Sequence, residues 1–160
     1  MATTTASFSL NSPDLLSTGT LALSTSSVLN KTGSTFGLEQ VQMGRLEISA
    51  AADADNNDTL FKAVQATVIA PHFPTSKNAW IYIANLETDA ALFVELTIKD
   101  HTIGNLYAGD FAFFPWTPGA EHSDIEIDSS SGSQTIEYAI FHEGIELVAE
   151  QTRNINNLKK

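Results

Sequence analysis

The sequence predicts an all-β protein built around an antiparallel sandwich, and three observations carry that expectation. From Ala79 to Phe141, short apolar and β-branched runs follow one another, each cut by Gly, Asp or Ser turn signals. The first 37 residues differ in composition, being rich in Ser and Thr with one Lys and one Asp. Cysteine is absent, so neither a disulfide framework nor a thiolate zinc site can hold the fold, and 160 residues must supply a core by burial.

Residues 1–37 read as an extended N-terminal arm. Its strand-like pieces are short: Ser7 to Leu10, then Thr20 to Ser24, where Leu21 and Leu23 alternate against Thr20, Ala22 and Ser24. A turn follows at Asn30-Lys31-Thr32-Gly33. The arm is too poor in large apolar side chains to fold separately. It either pairs onto the edge of its own sheet or reaches across to a neighbour. Strand pairing with a partner would satisfy its backbone groups and bury Phe8, Leu10, Leu21 and Leu23 together, which makes these four the candidate partner-binding residues.

Residues 38–149 form the expected sandwich domain. Leu46 and Ile48 alternate with Arg45, Glu47 and Ser49 in a half-buried strand, and residues 50–58 form a polar loop. Residues 59–70 carry two periods. Leu60, Phe61, Val64 and Val68 suit a helix, whereas Val64, Ala66 and Val68 suit a strand; Thr67-Val68-Ile69 and the stop at Pro71 favour strand for the second half. Strands follow over Trp80–Ile83, Leu92–Ile98, Phe111–Trp116, Ile125–Ile127 and Ile136–Phe141. The expected core takes Trp80, Ile81, Ile83, Phe93, Leu96, Ile98, Phe111, Phe113, Ile125, Ile127, Tyr138 and Ile140, with Tyr82 and Val94 on opposite faces and available to an interface. Strands of this number and spacing suggest a jelly-roll-like sandwich. Residues 150–160 form a polar C-terminal tail ending in Lys159-Lys160.

Charge narrows the classes of partner. With 8 Lys and Arg against 19 Asp and Glu, the formal net charge is -11, and nucleic acid or an anionic membrane would need a basic surface instead. No segment reaches the ~18 apolar residues that span a bilayer. Met1 to Ser7 has neither a basic n-region nor a long apolar stretch, so no signal peptide is expected.

Chemistry-bearing residues are scattered. Asp53, Asp55 and Asn57 alternate as in a calcium loop, but the sixth position is Asp58 instead of Gly and the twelfth is Val64 instead of Glu. The segment therefore reads as a solvated turn held by Asx hydrogen bonds. His72, His101, His122 and His142 each sit beside a turn signal, and no His-x-His pair places two imidazoles on one strand face. No Gly-x-Ser-x-Gly elbow and no phosphate-binding glycine loop occur. No catalytic residue, cofactor or metal site is expected. Phe111, Phe113, Phe114 and Trp116, close to Tyr107, could form a carbohydrate platform; apolar weight on both strand faces favours burial between two layers.

Three stretches carry a resemblance: Trp80-Ile-Tyr-Ile-Ala-Asn-Leu-Glu-Thr88, Ile103-Gly-Asn-Leu-Tyr-Ala-Gly-Asp-Phe-Ala-Phe-Phe-Pro-Trp116 and Ile136-Glu-Tyr-Ala-Ile-Phe141. Together they resemble small β-rich structural proteins of tailed bacteriophages, over about the C-terminal half of the chain. The resemblance implies a structural virion protein without enzymatic activity. In that reading it is a capsid cement or decoration protein that binds the major capsid protein or other virion subunits. It would form a homo-oligomer, with a trimer favoured, on the capsid exterior after synthesis in the host cytoplasm. The alternatives are a tail, fibre or head-completion component, or a carbohydrate-binding β-sandwich module.

Overall fold

A computed structural model describes residues 3–16, 19–38, 40–49, 58–61, 78–98, 101–117 and 124–143. Every regular element among them is a β-strand. The chain divides into two compact units, Met1–Glu39 and Gln40–Lys160.

In the first unit, β1 (Thr5–Leu16) and β2 (Gly19–Val28) pair as a two-stranded antiparallel ribbon. The two short strand pieces expected from the sequence are thus parts of longer strands. Their extent follows from backbone pairing, which Ser and Thr tolerate wherever a partner strand is in register. Register runs from Thr5↔Val28 to Ser12↔Leu21 and then shifts before Leu16↔Gly19. Pro13 lies inside the shift, where a residue without an N–H cannot extend the ladder. Beyond the ribbon, an Asn30↔Gly37 bridge closes a turn in which Lys31 N–H donates to the Phe36 carbonyl at 2.8 Å. Gly33 adopts φ 69° there. Leu29 and Leu38 are buried, and the Leu38 N–H donates to the Leu29 carbonyl at 2.8 Å.

The second unit holds two four-stranded antiparallel sheets. One has the order β3 (Gln40–Ser49), β10 (Ser133–His142), β5 (Ala79–Asn85), β8 (Phe111–Trp116). The other has the order β4 (Asp58–Phe61), β9 (Ile125–Ser129), β6 (Phe93–Ile98), β7 (His101–Tyr107). Among the described strands of this unit, only β6 and β7 are neighbours both in sequence and in one sheet, and each other step from β3 to β10 moves to the other sheet.

One buried cluster draws on both sheets. Ile48, Ile81, Ile83, Ile136 and Ile140 come from the first, Val94, Leu96, Ile125 and Ile127 from the second, and Trp116 closes the cluster from β8. Period-two alternation explains the choice, because Ile81 and Ile83 face inward only if Trp80 and Tyr82 face outward. Fully burying each such Ile is worth about 1.5–3 kcal/mol relative to exposure. The expected core is therefore corrected at several positions. Ile98 and Tyr138 are partly buried against the cluster, and Phe93 is half-buried with its ring 5.3 Å from Tyr107. Trp80 is half-buried on the outer face, and Phe111 and Phe113 are exposed. Val94, expected at an interface, is fully buried. Parity is the reason: once Trp116 turns inward on β8, Phe114 and Ala112 follow it and Phe113 and Phe111 take the other side.

A buried amide pair ties the strand ends together. Gln134 Nε2 lies 2.8 Å from Ser129 Oγ, 3.1 Å from Ser130 Oγ and 3.0 Å from the Phe93 carbonyl. Asn85 Nδ2 donates to the Leu106 carbonyl at 3.0 Å and to Gln134 Oε1 at 3.4 Å. Both residues are buried, so these bonds offset a desolvation cost that would otherwise fall on the fold. The knot joins β5 and β10 of one sheet to β6, β7 and β9 of the other.

Candidate interaction surfaces

The outward side of the β3-β10-β5-β8 sheet is built by register. Directly opposed residues share a face, so three rows cross the four strands. The first is Val41, Phe141, Trp80 and Pro115; the second is Met43, Ala139, Tyr82 and Phe113; the third is Arg45, Glu137, Ala84 and Phe111. Two alanines at the centre keep the face low, and both are buried beneath their larger neighbours. Trp80 stacks on Phe113 with ring centroids 5.1 Å apart, and Tyr82 lies 6.3 Å from Phe111.

This face is apolar and open. Met43 is 69% exposed and Phe111 57%, with Val41 and Phe113 also exposed. Among the described residues, charge enters at one end, where Arg45 Nε meets Glu137 Oε2 at 3.2 Å and Glu47 follows Arg45 on the same side of β3. Apolar faces larger than a few hundred Å² are rare on monomeric proteins.

The ribbon carries a second apolar face. The pairs Phe8↔Thr25, Leu10↔Leu23 and Ser12↔Leu21 put Phe8, Leu10, Leu21 and Leu23 on one side. Ser7, Ser9, Asn11, Ala22, Ser24 and Ser26 occupy the other, with Ser7 Oγ donating to Ser26 Oγ at 3.3 Å. Phe8, Leu10 and Leu23 are exposed and Leu21 is half-buried. The structure thus brings the four candidate partner-binding residues onto one face.

Other sequence candidates lie apart. His101 is exposed at the start of β7, and His142 is buried at the end of β10. His72, His122, the Asp53–Asn57 stretch, the ambiguous segment 62–70 and the 150–160 tail lie outside the described residues. Among the described residues no group of three or more His, Asp or Glu side chains is placed to hold a metal ion. No helix is long and apolar enough to cross a membrane, again among the described residues.

The sheet face was the surface that sequence reasoning missed. Its signal lay in Trp80-Ile81-Tyr82-Ile83, where aromatics occupy one parity and Ile the other, and in Phe111 and Phe113 sharing a parity opposite to Trp116. Compared with known proteins, the chain matches no family model and no curated protein sequence.

Proposed function

We propose that the chain is a structural virion protein of a tailed bacteriophage, a capsid cement or decoration protein that binds the major capsid protein and stabilises the shell. The observation that carries this reading is the pair of outward apolar faces, one on the ribbon and one on the sheet. Such surfaces suit permanent assembly better than transient encounter. In this reading the Gln40–Lys160 unit is a jelly-roll sandwich. Its strand orders β3-β10-β5-β8 and β4-β9-β6-β7, with the chain passing between sheets at nearly every step, support that assignment.

A net charge of -11 keeps the protein off packaged nucleic acid and favours the capsid exterior. The protein acts as a homo-oligomer, with a trimer matching the threefold positions of a shell, and its role requires no chemistry of its own. A glycan would need hydrogen-bonding side chains beside the aromatic platform. Two of the three rows run into Val41, Met43, Phe141 and Pro115, and polar groups are confined to Tyr82 and the Arg45–Glu137 end, which favours a protein partner. Quantitative mass spectrometry of purified virions carrying the gene tests the reading. Hundreds of copies per particle are expected. A few copies would move the protein to the tail or a fibre, and absence would overturn a virion role.

A further inference from the structure

We propose that the outward β3-β10-β5-β8 face is covered by the ribbon of a second copy of this chain, its Phe8, Leu10, Leu21 and Leu23 side packed on Met43, Tyr82, Phe111 and Phe113. This inference stands whether or not the assembled protein belongs to a capsid. It begins from need. A two-stranded ribbon in water is marginal without something on its apolar side, and the sheet face leaves aromatic and Met side chains in solvent. Both patches are apolar β-surfaces, and sheets pack face to face at about 10 Å separation with side chains interdigitated.

Charge selects the ribbon over the other occupants. Residues 1–39 carry Asp14, Lys31 and Glu39, a net of -1, so residues 40–160 carry -11 - (-1) = -10. Two acidic bodies meeting sheet to sheet would bring that charge together, whereas the ribbon brings almost none. On the receiving face Arg45 and Glu137 neutralise each other at 3.2 Å, and Glu47 lies further along β3 at the end of the face, away from Met43.

Use of both faces supports the same choice. Strand spacing and rise give a footprint of about 400 Å² for the four-stranded face and about 200 Å² for the two-stranded ribbon. A copy that offers its ribbon to one neighbour and its sheet to another covers both of its apolar faces. A contact using one patch against itself would leave the other face in solvent. Each contact joins two different patches, so it either repeats head-to-tail around a closed ring or is exchanged reciprocally about a two-fold axis in a pair.

The absence of cysteine makes cross-linking a clean test. Leu23→Cys and Met43→Cys, both exposed positions, are introduced in separate full-length chains with different tags, co-expressed, and treated with a short thiol cross-linker. The expected product is the mixed Leu23→Cys/Met43→Cys dimer, at least tenfold over either like-with-like dimer. Predominant Leu23→Cys homodimers would mean ribbon against ribbon, and predominant Met43→Cys homodimers sheet against sheet; either overturns the proposal. So does a doubly substituted chain that cross-links only within itself, or a wild-type protein sedimenting as a 17.2 kDa monomer at micromolar concentration. Phe111→Glu in the Met43→Cys chain and Leu10→Glu in the Leu23→Cys chain, both at exposed sites, should each abolish the mixed cross-link while leaving the β-type circular dichroism unchanged.

Discussion

Trp80 and Phe113 stack across the β5–β8 pair with centroids 5.1 Å apart and ring planes 21° from parallel, although neither is the other's register partner. Trp80 opposes Pro115 and Phe113 opposes Tyr82, so the stack is a diagonal contact between neighbouring rows. The contact lies within the outer face itself, between two of its own strands. A double-mutant cycle with Trp80→Leu and Phe113→Leu should give a coupling of about 0.5–1.5 kcal/mol in urea unfolding. Coupling near zero would mean that the two rings pack independently.

Inward and outward positions should differ in cost. Ile81→Ala removes a fully buried side chain at the centre of the cluster and should destabilise by about 2–5 kcal/mol. Phe113→Ala, at a site more than a third exposed, should lose only about 1–2 kcal/mol. Chemical denaturation of the two variants under identical conditions checks the ranking, and the reverse order would place Phe113 inside.

Gln134 is a large, fully buried side chain whose amide satisfies groups on three segments. Gln134→Leu keeps approximate volume but removes the donor to the Phe93 carbonyl and Ser129 Oγ and the acceptor of Asn85 Nδ2. The loss should be about 1–3 kcal/mol. Amide exchange should quicken for the Ser130 N–H, which donates to Phe93 O, before it quickens in the middle of β10.

Gly44 faces Tyr138 across the β3–β10 pair, and a Cβ there would sit 3.1 Å from the tyrosine hydroxyl and 3.3 Å from Cζ. Gly44→Val therefore forces the ring to move and should destabilise by about 1–3 kcal/mol. The penalty should shrink in a Tyr138→Phe background, where the nearest atom is gone. Thermal melts of the four proteins read this coupling directly.

Gly132 supports the turn from β9 to β10 at φ 59°, a conformation that costs an L residue about 1–2 kcal/mol. Gly132→Ala should lose that amount even though no atom lies within 4 Å of the added methyl. An unchanged melting temperature would show that the turn re-forms with a negative φ.

The sequence by itself determined the class of structure and most strand positions. Runs such as Ile125-Glu-Ile127 and Ile136-Glu-Tyr-Ala-Ile140 alternate with period two, and that period is a property of the extended backbone that no partner needs to supply. It also marked Phe8, Leu10, Leu21 and Leu23 as one set, because residues two apart share a side and the Ser- and Thr-rich surroundings leave few other apolar groups.

Tertiary structure decided which side of each strand is inside. Phe111 and Phe113 are as apolar as Phe114 and Trp116, so hydrophobicity alone cannot choose between the two parities of β8. The choice depends on which parity meets Ile81 across the sheet, and the pairing Ile81↔Phe114 and Tyr82↔Phe113 makes it. The union of Leu10 with Leu23 was likewise settled by hairpin register, since a slip of one residue would have turned one of them to the serine face. Alternation is local and legible in a chain; inward and outward are relations between strands, and exist only once the strands have paired.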